Sequence, residues 1–172
     1  MSEEEYLNKS PDASSMGKAV EHLVAASCII ATRGKLNVST SLVDDEGVDL
    51  VFHRRGSSAT LAVQVKSRMS DSKRVSSGGF VAFVRSQTFR PRSDLDLLFV
   101  AVDIKTGMYT HAWLVPSPEF AAVSKPNARG RLRFGASLSP GSRDRWHTYR
   151  VSPAELPQRV LDRLEDLERT GD

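Results

Sequence analysis

Along Gly47–Lys66, GVDLVFHRRGSSATLAVQVK, apolar and polar positions alternate with a period of two on either side of a polar break. Val48, Leu50 and Phe52 alternate with Asp49 and Val51; Leu61, Val63 and Val65 alternate with Ala62, Gln64 and Lys66. That period predicts two half-buried strands. The break, Arg54 to Ser58, contains Gly56, which can take the positive φ of a tight hairpin turn. A turn centred on Gly56-Ser57 pairs Phe52 with Leu61, Leu50 with Val63 and Val48 with Val65 on one apolar face. The same register sets Asp49 opposite Gln64 on the other face, with Lys66 one same-face step, roughly 7 Å, farther on. A one-residue slip would mix the two faces, so burial holds the register.

The rest of the chain supplies the frame. Residues 1–14 are polar and expected to be poorly ordered, leaving 15–172 as a single domain. Ser14 or Ser15 can cap a helix from about Met16 to Thr32, with Gly34 at C′ and Val20, Leu23, Val24, Ser27, Ile30 and Ala31 as its buried stripe. Glu21 falls at the edge of that stripe, where a carboxylate is ordinarily a solvated flank. Lys35–Val43 reads as a strand. Asp44-Asp45-Glu46-Gly47 is an acidic turn whose three carboxylates suit either solvent or a cation. After Lys66, SRMSDSKRVSSGG reads as a loop. Phe80–Val84 is a short strand, and Arg85–Asp94 a basic loop broken by Pro91. Leu95–Val102 is so continuously apolar that it predicts a central strand covered on both faces, with Met108–Val115 as its antiparallel partner. A helical turn at Glu119–Val123, an edge strand at Arg131–Phe134 and a strand at Trp146–Val151 follow. The last element is a helix from Ser152 or Pro153 to about Arg169, with Leu156, Val160, Leu161, Leu164 and Leu167 on one face.

Composition narrows the class. At 172 residues, 40% hydrophobic and 26% charged, the chain is globular and large enough for a real core. No apolar run approaches the ~20 residues of a membrane span, and the acidic N-terminus MSEEEYLNKS is unlike a signal peptide. Cys28 has no partner for an internal disulfide, so a reducing, cytoplasmic setting is expected. The four histidines, at 22, 53, 111 and 147, show no metal-binding spacing. The net charge of +3 is unevenly spread. Lys66, Arg68, Lys73, Arg74, Arg85, Arg90 and Arg92 face only Asp71 within 66–92, and seven basic residues face only Asp144 within 125–150. Such segregation fits either solvated loops or a polyanion-binding surface.

With Glu21 on a first helix, Asp49 in Gly47-Val48-Asp49-Leu50 and the triplet Gln64-Val65-Lys66, the chain resembles the PD-(D/E)xK nuclease superfamily. The motif-bearing part spans about 16–66, with the Leu95–Val115 strands as the remaining core. The resemblance implies an α/β, restriction-endonuclease-like αβββαβ core, a mixed central sheet flanked by helices. It implies a metal-dependent endonuclease hydrolysing DNA phosphodiester bonds with Mg²⁺ or Mn²⁺. Asp49 would be the principal metal ligand, joined by the Gln64 side-chain oxygen, the Val65 carbonyl and Glu21. Lys66 would orient the water and stabilise developing negative charge. Arg68, Lys73, Arg74, Arg85, Arg90 and Arg92 would hold the nucleic acid.

Two departures stand out. Val48 replaces the proline of the family name, and Gln64 replaces the usual acid. Gln keeps an oxygen ligand but removes one negative charge, so metal affinity should fall. Some homing and restriction endonucleases that this chain resembles carry Gln there. The competing reading is a nuclease-fold module that binds DNA or a partner with little or no catalysis. RNA is a third target, although the sparse aromatics are not interleaved with the basic runs as single-strand readers have them. Double-strand cleavage needs two active sites, which admits a homodimer. No nucleotide cofactor and no membrane partner are expected.

Overall fold

The structure, a computed structural model, describes residues 11–41 and 46–171. Residues 1–10 of the tail expected over 1–14, Leu42 and Val43 at the end of the expected first strand, and Asp44 and Asp45 of the acidic turn lie outside the described residues; residues 11–14, expected in the tail, open the first helix. The first element, α1 (Pro11–Ala31), begins before the serines expected to cap it. Its buried stripe is Val20, Val24 and Cys28, at i, i+4 spacing, with Leu23 and Ala25 at the flank. Ile30, expected in the stripe, is 76% exposed. The reason is angular: a stripe set by Val20 and Val24 continues through Cys28, and Ile30 lies half a turn away from it. At the helix end the Gly34 N–H reaches the Ile29 carbonyl at 2.9 Å and the Arg33 N–H the Ile30 carbonyl at 3.0 Å. This Schellman pattern puts Arg33, at φ 52°, at the C′ position in place of Gly34.

Next come β1 (Leu36–Thr40), β2 (Leu50–Arg54) and β3 (Thr60–Met69). The β2–β3 hairpin has the expected register, with Leu50 paired to Val63 and Phe52 to Leu61. β3 continues through Met69, so the first residues of the expected loop are strand. They pair in parallel with the next central strand, Lys66 to Phe99 and Met69 to Val102. A short α2 (Lys73–Ser76) and β4 (Gly79–Arg85) follow. Then come β5 (Leu95–Asp103), β6 (Met108–Pro116), α3 (Ser117–Val123) and β7 (Arg131–Ser137). The strand expected at Trp146–Val151 is mostly a 3-10 turn, His147–Tyr149; only β8 (Arg150–Val151) pairs, with β6. The chain closes with α4 (Leu156–Thr170).

The result is the expected α/β architecture with a mixed central sheet flanked by helices. Its strand order is β1-β2-β3-β5-β6-β8, with β3 and β5 parallel and the other pairs antiparallel. One core lies under α1 and α4, where Val24, Cys28, Val160 and Leu164 meet Leu50, Phe52, Val63, Val65 and Leu98. A second core fills the opposite face. There β4 and β7 form a separate two-stranded ribbon whose Phe80 and Phe134 pack with Leu97, Phe99, Trp113 and Phe120. Phe134 stacks on Phe99 with ring centroids 3.7 Å apart. The crossover from β3 to β5 therefore carries a strand rather than a long helix, as the alternation of FVAFV requires. Asp96 is fully buried inside the apolar run of β5, held by Arg163 of α4 through two hydrogen bonds of 2.8 Å. Among the described residues, no helix is long and apolar enough to cross a membrane.

Candidate active site

The site forms where β2 begins. Val63 is the ladder partner of Leu50, yet its carbonyl also accepts the Asp49 N–H at 3.0 Å. The Asp49 N–H thus bonds back to Val63 beyond the end of the ladder, and the chain upstream of Leu50 leaves the strand path, which changes where its side chains point. Val48 accordingly packs against the second core, whereas Leu50 and Phe52 lie in the first. The expected facing of Val48 with Val65 and of Asp49 with Gln64 is not formed, because the ladder ends at Leu50. In its place the Asp49 Oδ2 accepts the Val65 N–H at 2.6 Å. The N–H and C=O of one strand residue point to the same edge, so the Val65 carbonyl turns to the edge that carries Asp49.

Re-aimed in this way, Asp49 lines a cleft of about 200 Å³ together with Val48, Ser41, Ser14, Gly17, Lys18 and Glu21. The first turns of α1 supply most of that wall. Glu21 takes the Lys18 ammonium at 2.6 Å, and its side chain is only 13% exposed. Lys18 was not singled out from sequence, although i, i+3 spacing on a helix makes it a neighbour of Glu21.

Gln64 and Lys66 face the second core, because they alternate along β3 with Val63 and Val65 of the first. Gln64 is 7% exposed and packs under the backbone of Gly47. A Cβ at Gly47 would lie 2.7 Å from Gln64 Nε2 and 3.2 Å from its Cδ, and Gly47 has φ +72°. Only glycine meets both conditions without strain. The fold therefore brings Glu21 and Asp49 to one cleft, with the Val65 N–H bonded to the Asp49 carboxylate; Gln64, Val65 and Lys66 do not line it. Gln64 is held under Gly47, and Lys66 leaves β3 on the same face as Gln64.

Every one of these donors is an oxygen: two carboxylates, an amide oxygen and a carbonyl. That set suits a hard cation such as Mg²⁺, which is commonly held by one or two carboxylates plus water and phosphate. Among the described residues no group of three or more His, Cys, Asp and Glu side chains could hold a metal ion. A cation here would rest on few protein charges.

The basic residues named from sequence divide. Arg68 is turned back into the fold, Nε to the Val81 carbonyl at 3.0 Å and Nη1 to the Ser67 carbonyl at 2.7 Å. Arg92 pairs with Asp94 at 2.8 Å and Glu46 at 3.4 Å, which offsets its charge. Arg90 reaches its neighbour Phe89's carbonyl at 3.1 Å. Lys73 and Arg74 are exposed on α2, and Arg85 is exposed at the end of β4.

No family model matches the chain, and no curated protein sequence matches it. Solved structures do match its fold. The bacterial homing endonuclease I-Ssp6803I aligns with a TM-score of 0.54 and 21% identity, covering 91% of this chain and 98% of that one. At that identity the likeness establishes a common fold.

Proposed function

We propose that this chain is a metal-dependent DNA endonuclease of the PD-(D/E)xK kind, working through Asp49, Gln64, Lys66 and Glu21. One observation carries the reading: the Asp49 carboxylate is hydrogen-bonded to the Val65 N–H, between Gln64 and Lys66, in a cleft it shares with Glu21. The fold neighbour described as a homing endonuclease supports DNA as the substrate. Bound Mg²⁺ or Mn²⁺ would supply charge neutralisation at the scissile phosphate and a more acidic water. Asp49, Glu21, the Gln64 oxygen and the Val65 carbonyl are the residues that would hold it.

The chain's own groups do the rest. The Val65 N–H fixes the orientation of the Asp49 carboxylate before any ligand arrives, so no ordering cost falls on binding. Lys66 contributes a cation that stabilises negative charge developing on phosphate oxygens and orients the attacking water. Glu21, held by Lys18, accepts a hydrogen bond from water in the cleft. Gln64 donates no charge, so the site should need more metal than an all-acid one.

Purified protein incubated with linear, supercoiled and branched DNA in Mg²⁺ or Mn²⁺ tests this. Cleavage is expected, with Asp49→Ala and Lys66→Ala each slowing it by at least about 100-fold, the scale of losing one transition-state contact. Cutting that survives both substitutions sinks the assignment. The neutral Gln64 favours a second reading, a nuclease fold that binds DNA without cutting it; salt-sensitive, metal-independent binding with no cleavage selects that one.

A further inference from the structure

The two basic segments of the sequence meet in one element. β4 comes from the first and β7 from the second, and they pair antiparallel from Gly79 with Ser137 to Arg85 with Arg131. Phe80, Ala82, Val84, Leu132 and Phe134 point inward to the second core. Strand alternation therefore turns Arg85, Arg131, Arg133 and Gly135 outward. Arg85 and Arg131 are direct cross-strand partners, and Arg133 is opposite Phe83. Like charges placed directly opposite one another destabilise a strand pair. Among the described residues no acidic side chain forms an ion pair with any of these three arginines. An anion from outside the chain would offset this charge.

The geometry narrows what that anion is. A Cβ at Gly135 would lie 2.6 Å from Arg133 Nη1 and 3.1 Å from its Cζ, so the Arg133 guanidinium packs closely against Gly135. A planar guanidinium fork held in one place is suited to bidentate recognition more than to a general grip on charge. Two strands side by side, about 5 Å apart, fit the major groove of B-DNA, about 12 Å wide. The major groove of A-form RNA is too narrow and deep for side chains to read. The ribbon also sits beside the candidate site. Arg68, one same-face step along β3 from Lys66, donates to the Val81 carbonyl of β4 at 3.0 Å.

We propose that the outward face of the β4–β7 ribbon enters the major groove of double-stranded DNA, where Arg131 and Arg133 read guanine edges and Arg85 supports them at the ribbon's end. This gives the site described above its recognition surface and rests on the nuclease reading only for its biological setting. The test uses the full chain carrying Asp49→Ala, so that binding is read without cutting, and a pool of random-sequence DNA duplexes. Selection should enrich a guanine-containing motif whose guanine N7 atoms are protected from dimethyl sulfate. Arg131→Ala and Arg133→Ala should each reduce discrimination at one position by about 5- to 100-fold, with far smaller effects on unselected duplex. Gly135→Ala keeps every charge but displaces the Arg133 guanidinium, and should relax the Arg133 position alone. An unchanged motif in the arginine variants, uniform weakening over all sequences, displacement by the minor-groove ligand netropsin, tighter binding of double-stranded RNA, or no enriched motif with the parent protein would each overturn the proposal. Cleavage by the wild-type chain is scored separately. A motif that depends on the ribbon without any cutting leaves this proposal standing and removes the nuclease reading; metal-dependent cutting with a ribbon-independent motif does the reverse.

Discussion

Replacing Gly47 with alanine tests the contact that joins Gln64 to the candidate site. Gly47 sits at φ +72°, and the new methyl carbon would meet Gln64 Nε2 at 2.7 Å and Cδ at 3.2 Å. The left-handed backbone costs a non-glycine residue about 1–2 kcal/mol, partly offset by the ~0.4–1 kcal/mol gained from a stiffer unfolded chain. Gln64 is buried on a rigid strand, so it yields by leaving its rotamer, at about 0.5–1.5 kcal/mol. The net expectation for Gly47→Ala is a loss of about 1–2 kcal/mol. Gln64→Ala removes the amide that the methyl group strikes, leaving only the backbone cost. A double-mutant cycle should then give a coupling of about 0.5–1.5 kcal/mol, favouring the double variant over the sum of the singles. Urea unfolding followed by fluorescence of the buried Trp113 and Trp146 measures it. Cleavage measured on the same proteins should fall in Gly47→Ala, because the displaced Gln64 oxygen no longer sits where the site needs it. Additivity within about 0.3 kcal/mol would refute the close approach of Gly47 to Gln64.

Three further outcomes follow from other parts of the fold. Arg163→Met leaves the fully buried Asp96 carboxylate without its bidentate partner and should cost about 3–5 kcal/mol by urea unfolding; Asp96→Leu added to it should recover much of that loss. Burial, and then the neighbouring Arg150 cation, hold His111 below its usual pKa, with a hydrogen bond to the Leu138 backbone opposing them. The folded state thus binds fewer protons than the unfolded one. Stability should drop as pH falls from about 6.5 towards the depressed folded value, and His111→Gln should flatten that slope in melts at stepped pH. Cys28 is fully buried, and burial pushes its thiol up to about 12 against a hydrogen bond from Ser27. A thiol reagent should label it only at the rate of unfolding, and rapid labelling in native buffer would contradict its placement.

The chain's hydrophobic periodicity was enough to determine most of this architecture. Alternation in Leu50–Arg54 and Thr60–Val65 produced the hairpin and its register. The nearly continuous apolar run of Leu95–Val102 became a strand buried on both faces. The stripe of Leu156, Val160 and Leu164 became the buried face of α4. Periodicity reports which side of an element meets apolar surface, and that is a local property. It does not report how elements end or which distant ones meet. The end of the β2–β3 ladder at Leu50 changes the facing of Val48 and Asp49, and nothing in GVDL announces it. Nor does the sequence show that Asp96, the acid inside that run, is held by Arg163 of α4 from 67 residues away. The two basic segments were legible as charge, but their pairing as β4 and β7 depends on Phe80 and Phe134 burying one face of the ribbon against Phe99 and Trp113. For the candidate site, Glu21, Asp49, Gln64 and Lys66 were nameable as candidates from sequence alone. Tertiary packing decided that Glu21 and Asp49 share a cleft, and that Gln64 is held beside it by the one residue with no side chain to obstruct it.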